Sequence, residues 1–247
     1  MLCLAAAPAF SQQLNLSLGP AFPVGAFGSK DGSDPASGLA KMGWMGDLSY
    51  MHSVGKKHFG VVAMIRGRLN GIDEGASIAP LQEQFSGYRW DVSSVSWKTA
   101  AILGGAYYQA PINEKWSFIG TLAVGVAEAW LPEVNVTGIM DSTAQGGDAN
   151  IVVVNNKKAH GTTFTALAKA GIVYKLHGKF SLTASVDYWY LKPDFTLKQS
   201  VAFGQHMVVP GVYQLSNAAS VSVYSVQAPY SQQMNTVNLS VGVAMHL

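Results

Sequence analysis

The chain has 247 residues, with sixteen Lys and Arg against fourteen Asp and Glu, a net charge of +2. Only 12% of residues are charged and 49% are hydrophobic, where a soluble domain carries about 25% charged residues. This composition excludes a disordered chain, a disulfide scaffold built on the single Cys3, and nucleic-acid binding driven by net charge. No run approaches the roughly 18 apolar residues of a membrane-spanning helix.

The segment Met1–Phe10, MLCLAAAPAF, is short, apolar and uncharged, and Ser11-Gln12-Gln13 follows it. It has the look of the end of a secretory signal peptide, with small residues at Ala9 and Ser11 suited to cleavage before Gln12. Residues 1–11 are therefore expected to be a signal remnant on an exported chain, and residues 12–247 the mature domain. Only Met1 and Leu2 precede Cys3, which leaves no lipoprotein box.

The remaining elements alternate with a period of two, the mark of strands with one apolar face. Leu14, Leu16 and Leu18 alternate with Asn15, Ser17 and Gly19. After a loop at about 26–37, Met42, Trp44, Leu48 and Tyr50 alternate with Lys41, Gly43, Asp47 and Ser49. The turn Gly55–Phe59 leads to a strand at about 59–71, and a loop at 72–92 to another at about 93–110; both alternate less cleanly. From Trp116, Phe118, Leu122, Val124 and Val126 alternate with small or polar residues. Beyond a loop at 131–161, Ala166, Ala168, Ala170, Ile172 and Tyr174 share a face, and so do Phe180, Leu182, Ala184, Val186, Tyr188 and Tyr190. A loop at 193–233 precedes the clearest strand, VNLSVGVAMHL, from Val237 to Leu247.

Eight strands result, and their connections are of two kinds. Gly55–Phe59, Asn113–Trp116 and His177–Phe180 are short, each with a Lys just before an aromatic that opens the next strand. The other four are long and rich in Gly, Ser, Asn, Gln and Asp. Strict alternation of short and long connections predicts an all-β, eight-stranded antiparallel up-and-down transmembrane barrel with short periplasmic turns and long external loops. Phe59, Trp116 and Phe180 stand where a periplasmic aromatic girdle belongs, and Trp44, Trp97, Trp130, Tyr188 and Tyr190 are candidates for the external one. A soluble sandwich would use these aromatics as core, but the continuous apolar face argues against a soluble barrel.

Leu18–Phe27, Gly38–Trp44 and Asn238–Val243 resemble the first, second and last strands of the small outer-membrane barrels of the OmpA/OmpX kind. That resemblance implies a bacterial outer-membrane protein surrounded by lipid. Two departures stand out: Leu247 stands where the family favours a terminal aromatic, and a peptidoglycan-binding domain after the barrel is not expected.

With the apolar face outward, Lys41, Asp47, Arg66, Arg68, Lys98, Lys169 and Asp187 face the lumen. Eight strands enclose a space that side chains just fill, and buried charges must pair. Asp47 and Asp187 are thus expected to meet Arg66, Arg68, Lys98 or Lys169 in a polar plug. Such a plug serves as a structural core or as a gated ion path with an anion bias. Glu128 falls on the outward parity near the external rim.

No HExxH, closely spaced His pair, Cys–His cluster or GxSxG occurs, so neither a metal, a cofactor nor a catalytic site is signalled. His160 and His206 lie in or beside predicted external loops with Asp141, Ser142 and Asp148 nearby in sequence, the arrangement a lipid-modifying barrel enzyme would need. Val201–Gln214, Ser220–Gln227 and Ile151–Val154 are β-prone runs within the loops. They either extend strands beyond the membrane and pair there, or offer edges to a protein partner by strand addition. The function expected is that of a non-enzymatic outer-membrane barrel, a structural or interaction subunit presenting loops 131–161 and 193–233 to a partner, with a small pore and a barrel enzyme as the alternatives.

Overall fold

The computed structural model describes residues 12–54, 58–140, 149–206 and 222–247. The expected signal remnant, residues 1–11, lies outside the described residues. Eight strands close into an antiparallel barrel: β1 (Gln12–Val24), β2 (Ala40–Ser53), β3 (Phe59–Ile72), β5 (Trp97–Pro111), β6 (Trp116–Leu131), β9 (Ala159–Lys175), β10 (Phe180–Leu191) and β13 (Asn235–His246). The gaps in this numbering belong to a second, five-stranded sheet made from the long connections: β4 (Tyr88–Ser94), β7 (Val134–Met140), β8 (Ala149–Asn156), β11 (Asp194–His206) and β12 (Ser222–Ser231), in the order β12-β11-β8-β7-β4.

The barrel closes where β1 meets β13, from Gln13 opposite His246 to Val24 opposite Asn235. The barrel strands keep the alternation read from their sequence, except at the start of β5 and at the β2 bulge. Leu16, Ile65, Ile102, Leu122, Phe164 and Val241 are all more than 60% exposed on the outer face. Together with their neighbours they form an apolar belt around the barrel that water would not solvate favourably. One bulge interrupts the ladder, between Ala40 and Gly43 of β2. Gly43 is required there, because a Cβ would lie 1.8 Å from the Leu69 carbonyl oxygen.

The barrel has a turn end and a loop end. At the turn end Met51, Val62, Tyr107, Ile119 and Val173 form a small apolar cluster inside the barrel. At the loop end a larger one, including Phe27, Met64, Trp97, Leu131, Trp189 and Met234, continues through Phe195 and Leu197 into the second sheet. The sheet over the loop end is therefore anchored to the barrel by a shared core.

Sequence periodicity placed one strand at about 93–110. The structure instead ends β4 at Ser94 and begins β5 at Trp97, because β4 pairs with β7 in the second sheet while β5 pairs with β3 and β6. The loop at 72–92 also contains a helix, α1 (Glu74–Gln84). Asp73 caps it by accepting the Ala76 N–H. None of its residues is buried, so no apolar periodicity marked it. The runs in the last two long loops extend strands and pair: Val152, Val153 and Val154 of β8 face Phe203, Ala202 and Val201 of β11. The part of those runs at 207–221 lies outside the described residues.

Candidate functional site

The inward positions of β2, β3, β9 and β10 build a charged layer inside the barrel, loopward of the turn-end cluster. In the strand order, β3 stands opposite β10 across the lumen, and β2 opposite β9. Arg66 Nη2 on β3 donates to Asp187 Oδ1 on β10 at 2.7 Å, and both side chains are fully buried. Lys169 Nζ on β9 lies 3.2 Å from Asp47 Oδ2 on β2. Arg66 Nη1 is 3.5 Å from the same Asp47 oxygen and joins the two pairs. Ser17 and Asn238 donate to Asp47 and Asp187 at 2.7 and 2.6 Å. Buried ions cost free energy to desolvate, and only close pairing with further hydrogen bonds offsets that cost. Pairing is close here, but the compensation is partial: Arg66 Nε and Nη1 and Asp187 Oδ2 are buried without a hydrogen-bond partner among the described residues.

Arg68, two residues along β3, reaches no carboxylate within this network. Its guanidinium donates to Thr236 Oγ1 at 2.8 Å, and more distantly to the Met234 carbonyl oxygen and Thr99 Oγ1. It also stands 4.7 Å from the Trp189 ring centre and 5.1 Å from that of Phe27. Ring faces carry partial negative charge and hold a cation in a dry site. Trp189 is fully buried, covers Arg66 as well at 4.9 Å, and donates its indole N–H to Thr165 Oγ1. Nothing in composition distinguished Trp189 from the girdle tryptophans; only its parity with Asp187 marked it as inward.

Two expected lumen residues lie elsewhere. Lys98 points to the outer face, since β5 turns Trp97, Thr99 and Ala101 inward. The single strand expected at 93–110 is two strands of opposite parity, since residues 93–94 belong to β4 and Lys98 to β5, and a one-residue slip exchanges the faces. Lys41 lies at the rim beside the bulge, where its exposed ammonium is 3.8 Å from Asp73. Trp97 is likewise not a girdle residue: it is buried, and its indole N–H donates to the Gly38 carbonyl oxygen at 3.0 Å. Phe59, Trp116 and Phe180 each open their strand at the turn end with exposed rings. Phe59 packs on Tyr108 and Trp116 on Tyr174. Glu128 stands half-buried on the outer face, and the ladders run through it without a bulge.

At the loop end, the connection from β1 to β2 is fastened across the mouth. It begins with a single 3-10 turn, Gly25–Gly28. Gln232 donates to the Ala36 carbonyl oxygen, the Asp73 N–H to that of Leu39, and Lys30 lies 3.4 Å from Asp73. Partial burial raises the Asp73 carboxyl, but the Ala76 N–H, Lys41 and Lys30 outweigh it and hold it below the usual carboxylate value. Tyr230 of β12 hydrogen-bonds Gln232. Burial, then the Asp34 carboxylate, push its phenol up to about 12.

His160 is exposed on β9 opposite Trp130, and Asp141, Ser142 and Asp148 lie outside the described residues. Among the described residues no group of three or more His, Cys, Asp or Glu is placed to hold a metal ion.

The fold is that of the small eight-stranded outer-membrane β-barrels. It is similar to Neisserial surface protein A, with a TM-score of 0.50 and 11% identity over 96% of this chain and 97% of that one. A major outer membrane protein of Thermus thermophilus gives 0.46 and 10%, over 95% of this chain and 99% of that one. Ail, the attachment invasion locus protein of Yersinia pestis, gives 0.40 and 15% with the same coverage. No family model and no curated protein matches the chain.

Proposed function

We propose that this protein is a non-conducting barrel of the bacterial outer membrane whose working part is the sheet at its loop end, held outside the cell and offered to a partner. The carrying observation is the continuous core that joins that sheet to the barrel while it fills the barrel mouth. The charged layer then serves as a structural brace, and the turn-end aromatics as anchors at the periplasmic interface. Export by a signal segment at 1–11 and lipid around the apolar belt complete this reading, which assigns no enzymatic role. The edge strand β12 supports strand addition as the mode of contact: Ser225, Val226 and Gln227 are exposed, and among the described residues β12 pairs only with β11.

Site-directed labelling tests the placement. In a Cys3→Ser background, Ser225→Cys on β12 is expected to react with a membrane-impermeant maleimide on intact cells. Glu114→Cys in the β5–β6 turn is expected to react only after lysis. The opposite pattern, or equal labelling at both positions, would overturn the proposal.

A further inference from the structure

The second sheet does more than cover the barrel mouth. Its inner face, loop 29–39 and helix α1 surround a cavity of about 560 Å³, within the range of small-molecule sites. The register defines one wall as two rows. Val136 of β7, Val154 of β8 and Val201 of β11 are direct partners across the sheet and form an apolar row. Val134, Asn156 and Gln199 form the parallel row beside it. All six line the cavity, with Trp97 and Leu131 of the barrel mouth.

Six of the lining residues have polar side chains; the Ser37, Ser77 and Tyr230 hydroxyls donate elsewhere, which leaves Asp34 and the Asn156 and Gln199 amides. Asn156 has a buried side-chain oxygen with no hydrogen-bond donor among the described residues. An unsatisfied buried acceptor is costly to the fold, and an occupant with a donor removes that cost. Asp34 on the loop also lines the cavity, and no cation pairs with it among the described residues. Both groups accept hydrogen bonds. Gln232, Asp73 and the Trp97 indole fasten loop 29–39 over the cavity. Gly32 seats that loop on α1, since a Cβ there would lie 2.2 Å from the Ala76 carbonyl oxygen.

We propose that this cavity is a binding site for a small apolar molecule carrying a hydrogen-bond donor, an aromatic amine being the simplest of the class. The apolar body lies against the valine row, and the donor reaches Asn156, with Asp34 favouring a neutral or cationic head over an anionic one. This goes beyond partner presentation, since it needs the inner face of the sheet and not its edge.

The test is fluorescence titration of the protein in lipid nanodiscs with 1-aminoanthracene, using empty nanodiscs as reference. The wild type is expected to show a saturable, blue-shifted rise above the reference. Val154→Trp and Leu197→Trp, which fill the cavity, are expected to remove it. Asn156→Leu is expected to weaken binding about fivefold, the loss of one hydrogen bond of ~1 kcal/mol. Ala168→Leu, in an apolar groove on the outer belt near Leu122 and Tyr188, is expected to bind like the wild type. Each variant is first shown to keep heat-modifiable gel migration. Wild-type fluorescence equal to empty nanodiscs, saturable binding unchanged in both tryptophan variants, or loss of binding in Ala168→Leu would each overturn the proposal.

Discussion

Arg66 on β3 and Asp187 on β10 meet at 2.7 Å although their strands stand on opposite sides of the barrel. The pair from Lys169 on β9 to Asp47 on β2 joins a second set of opposed strands. Strand neighbours are held by backbone ladders, whereas these pairs hold the barrel across its diameter. Breaking one partner leaves a buried charge, at a cost of about 3–5 kcal/mol. Asp187→Leu and Arg66→Met are each expected to lower the temperature at which the folded band is lost on a gel. The double variant is expected to lose less than either single one, because neither member of the pair is then left buried without the other. A double variant as unstable as the sum of the singles would contradict this account.

The outward placement of Lys98 and the inward placement of Lys169 predict opposite tolerance. Lys98→Leu, on the exposed face of β5, is expected to change stability by no more than about 0.5 kcal/mol. Lys169→Leu is expected to lower it clearly, since Asp47 keeps only the longer contact with Arg66 and the Ser17 hydroxyl. Urea midpoints of the two variants in detergent micelles check the ordering.

Asp73 couples the start of α1 to Lys30 and Lys41. Its folded value lies below the usual carboxylate value. The stability it supplies is therefore present above the unfolded value near 3.9 and is lost as pH falls through the lower folded value. Amide exchange in α1, corrected for intrinsic rates, is expected to accelerate on acidification below about pH 4. Asp73→Ala is expected to exchange faster at neutral pH, by the ~0.5–2 kcal/mol of a lost N-cap, with no further acid step from this group. Equal protection in the variant and the wild type at neutral pH would contradict the coupling.

Tyr230 shows the reverse sign. Its phenol value is raised to about 12, so its contribution is complete below the unfolded value near 10 and fades as pH rises through the folded one. Ultraviolet titration is expected to show one tyrosine ionising late, and Tyr230→Phe to remove that late step. Loss of the late step in Tyr188→Phe instead would contradict the assignment.

The barrel was legible because lipid and lumen demand opposite residues at alternate positions, and Val237–Leu247 or Phe180–Tyr190 keep that alternation unbroken. The inward set was legible for Asp47, Arg66, Arg68, Lys169 and Asp187 for the same reason, though which cation meets which carboxylate depends on strand order and not on parity. Lys98 failed because the break at Val95-Ser96 carries no Gly or Pro to announce it. The second sheet was visible only as β-prone runs, since partners such as Val136, Val154 and Val201 come from three separate segments. Helix α1 has no buried face, so periodicity was silent; Asp73 followed by Glu74 was the one local sign of its start.

The central claim is a barrel closed by its own side chains, with Trp189 buried over Arg66 and Arg68 in the charged layer. Planar-bilayer recording of protein whose folding is verified by heat-modifiable migration tests it most directly. The wild type is expected to be silent, and Trp189→Ala, which uncovers Arg66 and Arg68, to give anion-selective openings. Steady openings of the wild type would contradict the account.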